Sequence, residues 1–289
     1  MQLRLLLHYW KHKLHFKNKR YILNAMKIKS LKNYLIYIFT AFFFFSCDSS
    51  STSSYNVDNG DNNMGGGSNN TELPAGFSKF ISEYTDVYVS GDYVVIESTG
   101  VPNHPSPYWG AGHPNYVSPH STMVVNPNLI SEQNFKFYIP LNPAISGSVS
   151  STPLGPIGVS ISGVPFYNQY AGPNNQPLDN EIPSFDNYYG HPQQTGQYHY
   201  HWEPTYLTFN ESSSMLIGYS LDGFPIYGPT EQSNGQYPSD LDELNGHSHS
   251  TNEYEDGTYH YHATSNSPYL LGGFRGKYGS LNGGGYYTN

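Results

Sequence analysis

The phrase Gly-x-Tyr-His-Tyr-His occurs twice, ending at Tyr198-His199-Tyr200-His201 and at Tyr259-His260-Tyr261-His262. A Gly-His stands upstream of each copy, Gly190-His191 and Gly246-His247. Side chains two apart on an extended strand share a face. Each phrase therefore sets two imidazoles on one side and two tyrosines on the other. His199, His201, His260 and His262 are thus candidate metal ligands. His191 and His247 join them, delivered from loops that a glycine lets turn tightly. Imidazole suits zinc, copper, iron and nickel. Three or four such donors at about 2.0–2.1 Å complete a zinc or copper site. The two pairs, one from each half of a single unit, are expected to turn toward one shared ion, copper or zinc. The plain alternative is histidines packed among aromatics and hydrogen-bonded, with no ion at all.

Other groups carry less pattern. His104 and His249 sit in polar stretches with no repeated context. Asp222 lies in the turn phrase Leu221-Asp222-Gly223-Phe224-Pro225. It is the candidate for a general base, or for a carboxylate accepting a ligand histidine's ring N–H. The alternative is a turn-forming aspartate. The tyrosines, 28 in the chain, read as packing against the far side of the strands. There is no phosphate-cradling glycine motif and no Gly-x-Ser-x-Gly, so a serine nucleophile has no support.

The elements that must position these residues occupy the later part of the chain. Residues 1–25 read as an upstream extension. From Met26, Lys27, Lys29 and Lys32 precede an apolar run over 34–45 and then Ser46-Cys47, the pattern of a cleaved export signal. The run is shorter than the roughly 20 apolar residues of a spanning helix. Cys47 is the single cysteine, so no disulfide forms within the chain. Its place at the end of the apolar run resembles the lipidation site of bacterial lipoproteins. A lipid on Cys47 would anchor the protein to a membrane of the cell envelope, on its periplasmic or cell-surface side. The first 47 residues hold nine of the thirteen Lys and Arg and no acid, which leaves four basic against 22 acidic residues, a net charge near −18. Such a chain repels phosphate backbones, so no nucleic-acid partner is expected.

Residues 48–76 are rich in Ser, Asn and Gly and read as a flexible tether. The remainder, 77–289, is long enough for one core. Helical periodicity is scarce there, and glycine and proline recur. The fold class read from this is mainly β, a single sandwich or barrel-like domain with long Gly/Pro/Tyr-rich loops and few short helical turns. Expected strands are 87–97 with an internal Ser90-Gly91-Asp92 turn, 135–139, 157–162, 197–202, 215–220 and 258–263. Short helical turns are expected near 73–84 and 238–244. The two His phrases lie 61 residues apart, but their flanks differ, so they read as a repeated motif and not as a repeated domain.

Several phrases together carry a family resemblance. They are residues 163–168, Gly190-His191-Pro192, the two Tyr-His-Tyr-His copies, 217–228, 241–247 and 268–276. Over roughly 160–276 the chain resembles the bacterial YHYH-domain family. The resemblance implies export and a shared fold, and implies no reaction. Relatives often carry cysteine where this chain has Leu244 and Gly273, which implies a disulfide there and leaves histidine as the common element. Three functions are compatible with these readings. The first is a membrane-tethered module binding copper or zinc. The second is a non-catalytic surface or adhesion domain stacking glycans on Trp109 and Trp202. The third is a metal-dependent hydrolase.

Overall fold

The computed structural model describes residues 72–282. The expected export signal, Cys47 and most of the expected tether lie outside the described residues. The domain is mainly β, with fourteen strands in three sheets. Among the described residues no helix is long and apolar enough to cross a membrane.

Strands β1 (Thr85–Ser90) and β2 (Tyr93–Ser98) form a hairpin turned at Gly91, whose φ of 60° a side chain would resist. With β3 (Phe135–Pro140) and β14 (Ser280–Leu281) they make a four-stranded antiparallel sheet. A small two-stranded sheet pairs β4 (Ile145–Ser150) with β13 (Phe274–Gly276).

The large sheet is built twice over. Its first half holds β5 (Pro156–Ser160), β6 (Pro165–Tyr167), β7 (Gly190–Pro192) and β8 (Tyr198–Tyr200). The second holds β9 (Leu216–Ser220), β10 (Pro225–Tyr227), β11 (Gly246–His249) and β12 (Thr258–His262). In each half a hairpin turns at a glycine with positive φ, Gly163 or Gly223. Its second strand starts with proline, which has no N–H to leave unpaired. That strand pairs parallel to the Tyr-His-Tyr-His strand, which pairs antiparallel to the Gly-His strand. The strand order is β11-β12-β10-β9-β5-β6-β8-β7. The halves meet where β5 pairs antiparallel with β9, Gly158 opposite Ser220, Val159 opposite Tyr219 and Ser160 opposite Gly218. The repeated motif is therefore a repeated four-stranded unit, joined through a local twofold. The mismatched flanks hid this, because the loops between the strands differ in length.

One buried cluster joins the sheets: Val94, Ile96 and Phe137 from the four-stranded sheet, and Val159, Phe166 and Tyr219 from the large one. The domain thus has the two-layer logic of a sandwich. Near the N-terminal side a short 3-10 turn, Ala75–Lys79, stacks Phe77 on Tyr219 with ring centroids 3.9 Å apart. The helical turn expected near 238–244 is absent. Asp242 instead closes an irregular loop, its Oδ1 accepting the N–H groups of Leu244 and Gly246 at 2.9 and 3.0 Å. The one α-helix among the described residues, α1 (Thr205–Asn210), was not anticipated. Positions 244 and 273 are neighbours: a Cβ on Gly273 would lie 3.3 Å from Leu244 Cδ2.

Candidate metal centres

The same local device sets the Gly-His strand in both halves. Asp186 and Asp242 each accept two backbone N–H groups, from Tyr188 and Gly190, and from Leu244 and Gly246. The residue before each glycine is left-handed, Tyr189 at φ 64° and Asn245 at φ 65°. Each aspartate's other oxygen takes the hydroxyl of the first tyrosine of the phrase, Tyr198 at 2.8 Å or Tyr259 at 2.9 Å. The hydroxyl end of that tyrosine's ring lies against the glycine. A Cβ at Gly190 or Gly246 would overlap it, so glycine is required there. His191 and His247 consequently lie on strands, not in loops. His191 is registered opposite His199 and His247 opposite His260.

The imidazoles gather at two places, not one. His191, His199 and His201 converge with Glu181, and His247, His260 and His262 converge with Glu231. In each group one ligand atom per residue lies within 4.8 Å of all the others. The expectation of a shared ion fails for a topological reason. The two Tyr-His-Tyr-His strands are separated by four others, which at strand spacing is about 24 Å along the sheet. Each half builds its own site.

Proton bookkeeping fixes what these rings present to one another. His199 Nδ1 lies 3.1 Å from the Gln197 carbonyl and His201 Nδ1 2.5 Å from that of Asn168. His260 and His262 repeat the pattern with the carbonyls of Thr258 and Gly228, at 3.0 and 2.8 Å. A carbonyl oxygen only accepts, so each Nδ1 carries the proton and each Nε2 has a bare lone pair. His191 Nδ1 faces Ser184 Oγ at 2.7 Å. That hydroxyl donates its own proton to the Glu181 carbonyl, so it too must accept from the ring. His247 Nδ1 donates to Asp240 Oδ1 at 3.0 Å. All six Nε2 atoms are left as donors of electron pairs.

Those lone pairs are crowded together. His199 Nε2 and His201 Nε2 are 3.0 Å apart, and His247 Nε2 and His260 Nε2 2.9 Å. Glu181 Oε2 is 3.5 Å from His191 Nε2 and 3.4 Å from His201 Nε2. Glu231 Oε1 is 3.2 Å from His247 Nε2 and 3.8 Å from His262 Nε2. His191 Nε2, His262 Nε2 and Glu231 Oε1 are buried with no hydrogen-bond partner among the described residues. Protonation is a poor remedy. Burial holds His191 and His260 down to about 3 and His262 to about 4, and holds His199 well below its ordinary range. Four donors around a tetrahedral ion at about 2.0–2.1 Å stand about 3.3–3.4 Å from one another. The observed separations bracket that value.

Glu181 and Glu231 were not foreseen. Glu181 arrives on a run of 3-10 turns between β6 and β7, and Glu231 from the loop just after β10. They stand ten and sixteen residues before their Gly-His histidines, so no common spacing points to them. His249 lies on β11, half exposed, and meets Asp240 and His247 in a third group. His104 is buried on the tyrosine face, its Nε2 2.8 Å from the Tyr200 hydroxyl.

Asp222 is fully buried and holds neither role considered for it. Its partners are Ser220 Oγ, the Tyr261 hydroxyl at 2.7 Å and the N–H groups of Arg275 and Gly276 at 2.8 and 3.1 Å. No imidazole among the described residues bonds to it, because the tyrosines hold it on the other face. Trp202 is also buried, its Nε1 donating to the Thr264 carbonyl at 3.0 Å and its ring between Tyr189 and Tyr269. A glycan has no access to that ring. Trp109 stacks on His113, with ring centroids 4.2 Å apart.

Comparisons with curated proteins and with solved structures give no match. Residues 136–239 and 233–276 match the family described as YHYH protein. The match spans both halves of the large sheet and every residue of the two clusters. The domain that carries both clusters belongs to the YHYH family.

Proposed function

We propose that this chain is an exported module, tethered by a lipid on Cys47, that holds copper or zinc ions at two centres in the cell envelope of a bacterium. The observation that carries the reading is the crowding of bare Nε2 lone pairs, 2.9–3.0 Å apart, in two buried clusters. A first-row cation relieves that repulsion in both halves at once. Four donors per centre, three imidazoles and one carboxylate, suit retention of an ion better than catalysis, which keeps a position open. The Cys47 anchor and the envelope location rest on the sequence of the leader. The mature chain's excess of carboxylates favours cation uptake.

One feature favours metal-assisted hydrolysis as the second reading. The first centre opens onto a groove of about 560 Å³, lined by Val124, Asn126, Leu154, Tyr167, Tyr170 and the cluster itself, and Glu181 there is one-third exposed. In that reading Glu181 would yield its place to water. The test is elemental analysis of protein purified without a histidine tag. Retention predicts two equivalents of zinc or copper per chain, and one in the His199→Ala/His201→Ala variant. Protein that takes up no first-row metal under any loading condition overturns the proposal.

A further inference from the structure

The two centres are not equivalent. Counting 56 residues on from the first half, Ser184 is matched by Asp240 and Gln193 by His249. In the first half the neutral Ser184 backs His191, and nothing chelating follows. In the second, Asp240 Oδ1 takes the His247 Nδ1 proton while Oδ2 lies 3.1 Å from His249 Nε2. The His249 ring centroid is 4.2 Å from that of His247, and its Nδ1 is 4.0 Å from Glu231 Oε1. The Asp240 and His249 side chains are 53% and 48% exposed, against 13%, 4% and 2% for Glu231, His247 and His262. A staircase of donors therefore runs from solvent to the buried lone pairs, with His247 belonging to both flights.

A buried site poses a kinetic problem. A hydrated divalent ion must shed its waters before it enters, and shedding them all at once is costly. We propose that Asp240 and His249 form a loading station for the second centre: they capture the hydrated first-row ion and pass it across His247 to Glu231, His260 and His262. This rests on the reading of the duplicated clusters as metal centres. Asp240 supplies the charge and the oxygen donor that attract a hydrated cation. His249 displaces one water, and the exposed pair releases the ion readily because it offers few donors. The step is ligand exchange only. Each protein donor that binds expels a water, and no electron is transferred.

The test uses the full chain with His199→Gln and His201→Gln, so that only the second centre reports. Cobalt(II) is the probe, because its visible absorption rises when it becomes four-coordinate. Adding His249→Gln, which installs the residue the first half carries, should slow uptake about tenfold in stopped flow. The final spectrum and the single bound equivalent should not change. The reciprocal variant Ser184→Asp/Gln193→His, with His260→Gln and His262→Gln, should speed uptake at the first centre. Unchanged uptake rates overturn the station. So does loss of the bound equivalent in the His249→Gln variant, which would make His249 a ligand of the finished centre. If the unaltered chain takes up neither cobalt nor any other first-row metal, the station and the metal-centre reading fall together. If it takes two equivalents and His249 has no effect on rate, only the station falls.

Discussion

Two separate centres imply two additive increments of metal-linked stability, and His260→Gln should remove one of them. The centres are about 24 Å apart along the sheet, beyond the 7–10 Å over which perturbations usually couple, and salt screens their charges. An ion held only by the folded state at a free concentration of 100 Kd adds about 2.7 kcal/mol per site, so about 5.4 kcal/mol for two. For a domain of this size 1 kcal/mol moves Tm by roughly 2–4 °C. Metal should therefore raise Tm by about 11–22 °C in the unaltered chain and by about half of that in His260→Gln. Differential scanning calorimetry of chelator-treated and zinc-loaded protein measures both increments, and elemental analysis counts the ions. A single equivalent in the parent and none in His260→Gln would show that the histidines serve one shared ion. A metal shift that His260→Gln leaves unchanged would remove His260 from the ligand set.

The remaining tests address the shells around the ions. In metal-free protein burial holds His191 and His260 down to about 3, below the ordinary imidazole value of about 6.5 in the unfolded chain. Between those values the unfolded chain binds more protons. Stability is therefore fully present above about pH 6.5 and is lost as pH falls toward 3, at up to about 1.4 kcal/mol per unit per histidine. Urea midpoints of chelated protein should fall steadily from pH 7 to pH 4, and flat midpoints would contradict neutral, buried rings. Asp240→Asn should weaken the second centre about 10- to 100-fold in competitive chelator titrations and leave the first unchanged, because Asp240 orients His247. Asp222→Ala should cost about 3 kcal/mol or more by denaturant unfolding, since it strands several buried donors, yet keep both metal equivalents. Gly246→Ala should cost about 1–3 kcal/mol, because its methyl displaces the Tyr259 ring from Asp242.

How much of this was legible depends on what each part of the sequence encodes locally. The β class, the strands around 87–97, 135–139, 157–160, 198–200, 216–220 and 258–262, and the split of imidazole from tyrosine all follow from period-two patterning and turn residues. The short strands β6, β7 and β10 escaped, because each is three residues long, starts or ends with proline, and lacks the alternating His/Tyr pattern that marks β8. The six clustered histidines were readable because their phrases repeat. Glu181 and Glu231 were not, since each reaches its cluster from a loop of different length, and a lone glutamate among 22 acids carries no mark. The partition into two centres was equally hidden. It is decided by parallel pairing of β8 with β6 and β12 with β10, which places each phrase beside its own hairpin. Asp186 and Asp242, which hold the Gly-His strands, share the spacing Asp-x-x-x-Gly-His and could have been found by aligning the halves at 190 and 246.

The β5·β9 seam has a consequence for any shorter version of this protein. Gly158 faces Ser220 while Ser160 faces Gly218, so each strand meets a near copy of itself running the other way. A polypeptide containing only one half would leave that border as a row of unsatisfied amides and carbonyls. A second molecule of the same fragment could satisfy the row by the same exchange of glycine and serine positions. The present arrangement reads as a homodimer written into one gene product. Once the copies are covalently joined, either can change its rim residues while the other remains as it was.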